Sequence, residues 1–149
     1  MRWMKYVALL WLLAAGAAQA ESAKIVKVLP YFLDEKGRHA LKPSLYERDA
    51  YQAFLRKKPN LRSALRFDVQ WKASGLNDIT LRVEARGSLK GQAQAVVLEE
   101  PVKKKGWFGH WSSVCLKGDA YKKLGDLTAW RATLWSGGHQ VAEQKSYLW

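Results

Sequence analysis

The chain has 149 residues, with 25 lysines and arginines against 13 aspartates and glutamates, so its formal net charge is +12. This length suits one domain. The positive charge favours anionic partners through a long-range attraction that salt weakens, or it serves only to keep a soluble surface away from zero net charge. Cys115 is the only cysteine, which excludes an intramolecular disulfide.

Residues 1–20 have the three parts of a secretory signal peptide. They begin with two basic residues, continue with an apolar run over residues 7–15 and end in Ala-Gln-Ala at 18–20, a small-residue cleavage signal. The apolar run is shorter than the roughly 20 residues that span a bilayer. We therefore expect the chain to be exported and the mature protein to begin at Glu21.

The expected mature chain has 129 residues, because the leader takes away 20, and its net charge is +10, from 23 basic and 13 acidic residues. No cysteine follows the cleavage site to carry a lipid, and no second apolar run is long enough to span a membrane. We expect a product without a transmembrane span, in the periplasm or outside the cell. The compact, alanine-rich leader suits a bacterial source.

The first half of the mature chain predicts one strand and one helix. Residues 24–33 read as a strand, and Pro30 places it at a sheet edge or bends it. A helix is predicted over residues 44–57, because Ser44 and Glu47 form a capping box.

Four apolar residues of this helix fall near one stripe, so we expect that stripe to pack on the sheet and cover an edge. They are Leu45, Tyr51, Phe54 and Leu55. The alternative is a partner surface that includes the basic residues 56–58.

A period of two then begins, which predicts half-buried strands. Apolar and polar residues alternate over residues 65–72 and again over 79–86. A third strand is predicted over 92–100, where residues 96–98 are apolar on both faces and are expected to be covered on both sides.

The end of the chain predicts one short strand and a hairpin. The strand covers residues 113–117, and residues 118–127 are a connection with room for a helical turn. Residues 129–135 and 140–148 are the arms of the hairpin, joined by Gly137-Gly138.

Six or seven closely spaced strands predict a mainly β, antiparallel sandwich. Residues 127–134 are similar to the stretch of immunoglobulin-like and fibronectin type III-like domains that carries a corner aromatic, with Trp130 where those domains usually place a tyrosine. Trp71 is similar to the tryptophan that often ends an early strand of these domains. Residues 64–149 therefore resemble immunoglobulin-like and fibronectin type III-like domains. The resemblance implies an immunoglobulin-like sandwich, in which the helix at 44–57 is an insertion. The paired cysteines of true immunoglobulin domains are missing, and such a fold implies no particular function.

The loop over residues 101–111 is the best candidate for binding. Three cations stand beside large aromatic rings that stack on sugars or bases or enter a headgroup layer. The alternative is that the rings fold back and cap the open end of the sandwich. The candidate binding residues are Lys103, Lys104, Lys105, Trp107, Phe108, His110 and Trp111.

No catalytic residue, metal site or cofactor is predicted. His39, His110 and His139 each stand alone, are expected on exposed loops, and lack the spacing of a zinc site. The G-x-S-x-G hydrolase motif is absent. Cys115 lies in a strand, where a cysteine is usually inert, an intermolecular disulfide being the alternative.

The leading hypothesis is an exported, non-catalytic binding or interaction domain that engages an anionic surface or polymer through the basic-aromatic loop. The alternative is an accessory or structural component of an envelope complex, with a protein partner. A hydrolase without a recognisable motif is the second alternative. Specific binding of nucleic acid is not expected.

Overall fold

A computed structural model describes residues 21–105 and 109–149, so the predicted signal peptide at 1–20 lies outside the described residues. The described part is mainly β. Its strands are β1 (Ser22–Asp34), β2 (Arg62–Ser74), β3 (Ile79–Leu89), β4 (Gln92–Val102), β5 (His110–Lys117), β6 (Asp126–Ser136) and β7 (His139–Lys145). Its helices are α1 (Leu45–Lys57) and α2 (Gly118–Leu124), with a 3-10 turn at Pro59–Leu61.

The strands form two antiparallel sheets, in the orders β1-β2-β5 and β4-β3-β6-β7. The predicted mainly β, antiparallel class is thereby confirmed. The expectation of one helix is corrected, since α2 is a second one. Leu124 of α2 is buried, and its backbone lies so close to Gly87 that a Cβ at this glycine would collide with it.

The alternating pattern correctly predicted the core. Phe67 and Trp71 of β2 and Leu81 and Val83 of β3 have no exposed surface, and they belong to one cluster with apolar residues of β1, β5 and β6. Each sheet therefore turns one face to a shared core. Burial of each large apolar side chain contributes about 1.5–3 kcal/mol.

Helix α1 begins as predicted, because the Ser44 hydroxyl accepts a hydrogen bond from the Glu47 N–H at 3.1 Å. The predicted apolar stripe is wrong in part, since Leu55 is buried and Tyr51 is half-buried but the other two members are exposed. Leu45 is 69% exposed and Phe54 is 44% exposed, whereas Gln52 is buried beside Leu55. The reason is that Gln52 bonds to the backbone of β1, so the helix turns that face to the sheet.

The side chain of Gln52 occupies the free edge of β1. Its Oε1 accepts from the Phe32 N–H at 2.9 Å, and its Nε2 donates to the Phe32 carbonyl at 2.9 Å and to the His39 carbonyl at 2.8 Å. The first two bonds are those that a further strand would make with Phe32. Pro30 correctly indicated an edge strand, and the helix protects that edge from another chain.

Two further predictions on β4 need correction. The strand continues to Val102 and β5 begins at His110, so the loop is 103–109 rather than 101–111. The expectation that residues 96–98 are covered on both faces is wrong: Val97 is 55% exposed, because β4 is an edge strand whose outer face lies open.

The hairpin between β6 and β7 is confirmed, with Gly137 and Gly138 both at positive φ, as a two-residue turn requires.

Candidate functional site

Three connections meet at one end of the fold. They are the β2–β3 loop at 75–78, the β4–β5 loop at 103–109 and the β6–β7 turn at 137–138, and the strand registers place them together. The Ser136 hydroxyl donates to the Asn77 carbonyl at 2.7 Å and so joins two of them. Loops at one end of a rigid scaffold are a common place for binding residues.

The outer face of the three-stranded sheet is basic near this end. Lys24 lies opposite Lys72 in the register, and Gln70 lies between Lys27 and Trp111. Because side chains alternate along a strand, these residues point away from the core. The three lysines are exposed, and Trp111 is 52% exposed.

The β4–β5 loop adds three exposed lysines, Lys103, Lys104 and Lys105. A Cβ at Gly109 would lie 3.5 Å from the Lys72 Cε and 3.5 Å from the Gln70 Nε2, so the end of the loop rests against the sheet face. We call this surface the lysine–tryptophan face. Its members are Lys24, Lys27, Lys72, Lys103, Lys104, Lys105 and Trp111.

The lysines of this face take no part in close ion pairs among the described residues. Across residues 21–105 and 109–149, none of its six lysines has a carboxylate within 4.0 Å. Lys24 and Lys72 are directly opposite each other, an arrangement of like charges that costs stability. By contrast, six arginines form ion pairs: Arg38, Arg48, Arg62, Arg66, Arg82 and Arg131.

Two open clefts flank the start of the β4–β5 loop. One, of about 670 Å³, lies between residues 76–80 and Lys104. The other, of about 490 Å³, is lined by Lys105, Trp111 and Glu100. Lys103 lines both clefts, so the loop lysines have access to two surfaces.

The serine hydroxyls beside Trp111 are used inside the protein. Ser112 Oγ accepts from the indole Nε1 of Trp71 at 2.9 Å, and Ser113 Oγ donates to Asp68 Oδ1 at 2.7 Å. The free polar groups around the ring are therefore the lysine ammonium groups, the amide of Gln70 and the carboxylate of Glu100 in the adjoining cleft.

Of the predicted binding residues, the structure places four at this surface, Lys103, Lys104, Lys105 and Trp111. Trp111 does not fold back into the core, since half of it is exposed. Trp107 and Phe108 lie outside the described residues.

His110 corrects an expectation, because it is 8% exposed rather than on an open loop. It opens β5 on the inward side, opposite Trp71, and the two ring centroids are 4.6 Å apart. Its Nδ1 accepts a hydrogen bond from the Lys105 N–H at 2.9 Å. His110 therefore positions the loop, and it lies at the wall of the cleft beside Trp111.

His39 is also half-buried, against the expectation of an exposed loop, whereas His139 is exposed. The ring of His39 lies 5.1 Å from that of Tyr31, and its Nδ1 is 3.3 Å from a guanidinium nitrogen of Arg66. Burial, and then the charge of Arg66, lower the pKa of His39. This favours a neutral imidazole.

Sequence reasoning missed Lys24, Lys27 and Lys72. They stand at polar positions of alternating strands, which indicates exposure, but the order of the strands is needed to bring them beside Trp111. The sequence alone therefore indicates that these lysines are exposed, and the pairing of β1 with β2 and of β2 with β5 shows that they share a face with Trp111.

Other kinds of site have little support in the described residues. No three histidine, cysteine or acidic side chains gather there as metal ligands would, and none of the helices described is long and apolar enough to cross a membrane. Cys115 is half-buried, and burial raises the pKa of its thiol, which makes it less reactive.

Comparison with known proteins gives a fold and no function. No family model matches the chain, and no curated protein matches it. A crystal structure from Akkermansia muciniphila is similar, with a TM-score of 0.53 and 12% sequence identity, over 89% of this chain and 73% of that chain. At this identity the likeness shows the fold alone.

Proposed function

We propose that this chain is an exported, non-catalytic binding domain of immunoglobulin-like fold, which engages an anionic partner through the lysine–tryptophan face. The observation that carries the proposal is the group of six lysines without ion-pair partners around the half-exposed ring of Trp111. A surface of this kind attracts anions at long range and offers an apolar ring on contact.

The order of the strands supports an immunoglobulin-like topology. If the seven strands are lettered A, B, C, C′, E, F and G along the chain, the sheets are A-B-E and C′-C-F-G. Trp71, at the end of the second strand, is fully buried in the shared core, and Trp130 packs against that core from the sixth strand. Helix α1 is then an insertion between the first two strands.

Export is supported by the leader sequence. Residues 1–20 contain the basic start, short apolar run and Ala-Gln-Ala exit of a signal peptide. The first strand begins at Ser22, directly after the expected cleavage site. The partner is therefore a component of the envelope or of the extracellular space.

The test is a titration of the chain from Glu21 onward with a soluble polyanion such as heparin, at low and moderate salt, followed by intrinsic tryptophan fluorescence. We expect a salt-sensitive spectral shift that is lost in Trp111→Ala and weakened in Lys24→Ala/Lys27→Ala/Lys72→Ala. The matched control is Lys117→Ala/Lys122→Ala/Lys123→Ala, which removes the same charge from exposed positions at the opposite end. Equal weakening in both triple variants would contradict a defined face.

A protein partner is the second candidate, favoured by the free edge of β4. This strand ends its sheet, is uncharged from Gln92 to Leu98, and exposes Val97. Such an edge accepts a strand from another chain through backbone hydrogen bonds. A stoichiometric complex that resists moderate salt and is lost in Val97→Lys would favour an accessory role in an envelope complex.

A further inference from the structure

We infer that the ligand of the lysine–tryptophan face is a bilayer surface that carries anionic phospholipid headgroups. This inference rests on the proposed function, because it names the chemical class of the anionic partner.

The first argument is the chemistry of the cations. All six cations of the face are lysines, whereas six of the eight arginines in the described residues form ion pairs. A guanidinium recognises a single carboxylate or phosphate with two directed hydrogen bonds. An ammonium is a mobile point charge that responds to the density of negative charge. The face is therefore suited to a charged surface rather than to one oriented anion.

The second argument is the scarcity of directional groups around Trp111. A sugar stacked on the ring needs hydrogen bonds to its hydroxyls, yet Ser112 is bonded to Trp71 and Ser113 to Asp68. The amide of Gln70 and the carboxylate of Glu100 remain for directed contacts. A half-exposed tryptophan beside exposed lysines, with few hydroxyl or amide groups free to bind a sugar, resembles the residues found at a membrane–water interface, where the ring lies at headgroup level.

The third argument is position. The lysines come from the end of a sheet face and from the adjoining loop, so they surround one tip of the fold, and the clefts beside them are open. A tip of this shape contacts a plane without needing a groove. Lysines close to an anionic bilayer each contribute to attraction within a Debye length of its surface.

The experiment uses the chain from Glu21 onward, which contains every described strand, helix and core residue, and which lacks the apolar leader that would itself enter lipid. Binding is measured by flotation with phosphatidylcholine vesicles, with and without one third phosphatidylglycerol, and with heparin in a parallel assay. Each lysine is expected to strengthen partitioning by about fivefold, so Lys24→Ala/Lys27→Ala/Lys72→Ala should weaken it on the order of 100-fold. The partitioning of the control variant Lys117→Ala/Lys122→Ala/Lys123→Ala should be much closer to that of the parent.

The outcomes separate this inference from the proposed function. Binding to vesicles that contain phosphatidylglycerol, but not to pure phosphatidylcholine vesicles, supports both the lipid inference and the proposed function, provided that Lys24→Ala/Lys27→Ala/Lys72→Ala loses this binding and the control variant keeps it. Binding to heparin without binding to vesicles overturns the lipid inference and leaves the proposed function standing. Failure to bind either the vesicles or heparin overturns both the lipid inference and the proposed function. Equal loss of binding in the two triple variants would show that net charge alone causes binding, and it would overturn the inference as well.

Discussion

The backbone N–H of Lys105 donates a hydrogen bond to Nδ1 of His110 at 2.9 Å and ties the β4–β5 loop to the start of β5. The acceptor role of Nδ1 requires a neutral imidazole with its proton on Nε2. The ring is held in that position by Trp71, whose ring centroid is 4.6 Å away. A histidine expected to touch a ligand thus sets the position of the lysines that do so in our proposal.

Replacement of His110 by alanine should destabilise the fold and loosen the loop. The change removes a buried ring and leaves the Lys105 N–H without its acceptor, and such a loss costs roughly 1–3 kcal/mol. Urea denaturation should report the lower free energy of unfolding, and hydrogen exchange should show faster exchange of the Lys105 amide.

His139→Ala is the control for this change, because His139 is exposed at the start of β7. It should alter stability by no more than about 0.5 kcal/mol. An unchanged exchange rate at Lys105 in His110→Ala would show that the loop is held by other contacts.

Gln52→Ala should destabilise the protein through the edge of β1. The variant loses two bonds to Phe32 and one to His39, which leaves half-buried backbone groups without their partner at a cost of roughly 1–3 kcal/mol. The measurement is the midpoint of thermal or urea unfolding, with Gln92→Ala, an exposed strand residue, as control. Gln52→Glu should be similarly damaging near neutral pH, because its carboxylate faces two carbonyl oxygens.

The sequence predicted best where one physical effect acts alone. Alternation in β2 and β3 placed Phe67, Trp71, Leu81 and Val83 in the core, because a strand with one buried face must alternate. The cap at Ser44 was found because its hydrogen bond is local in the chain.

Prediction failed where distant elements decide the outcome. Gln52 is buried because it pairs with Phe32, 20 residues away, and no helical period contains that information. His110 is buried because β5 extends further toward the loop than its pattern suggested. The lysine–tryptophan face likewise depends on β1 and β5 lying on either side of β2, which is a property of topology.

The leader should be removed on export. Expression of the full chain in a bacterium with a periplasm should give a periplasmic product whose intact mass begins at Glu21, since Ala-Gln-Ala at 18–20 is the cleavage signal. Ala20→Arg should block processing, because the site requires small residues. A cytoplasmic product that retains residues 1–20 would contradict the export proposal.

The carboxyl of Asp34 should make the free energy of unfolding depend on pH in the acidic range. Burial raises the pKa of its carboxyl, but hydrogen bonds from the Arg38 N–H, the Tyr51 hydroxyl, the Arg38 side chain and the Lys36 N–H outweigh that effect and lower the pKa from 3.8 to about 2. A carboxyl whose pKa is lower in the folded state adds stability that is fully present above its unfolded pKa. That stability is lost as the pH falls from about 4 toward 2.

Urea denaturation of the parent and of Asp34→Asn at several pH values between neutral and 2 tests this dependence. We expect the parent to be more stable than Asp34→Asn at neutral pH by about 1–2 kcal/mol, a figure that allows for solvent screening near the surface. This difference in the free energy of unfolding should shrink as the pH falls from about 4 toward 2. Glu35→Gln, at an exposed position of the same turn, is the matched control and should not change the acid dependence. A difference between parent and Asp34→Asn that stays constant down to pH 2 would show that the carboxylate charge does not stabilise this turn.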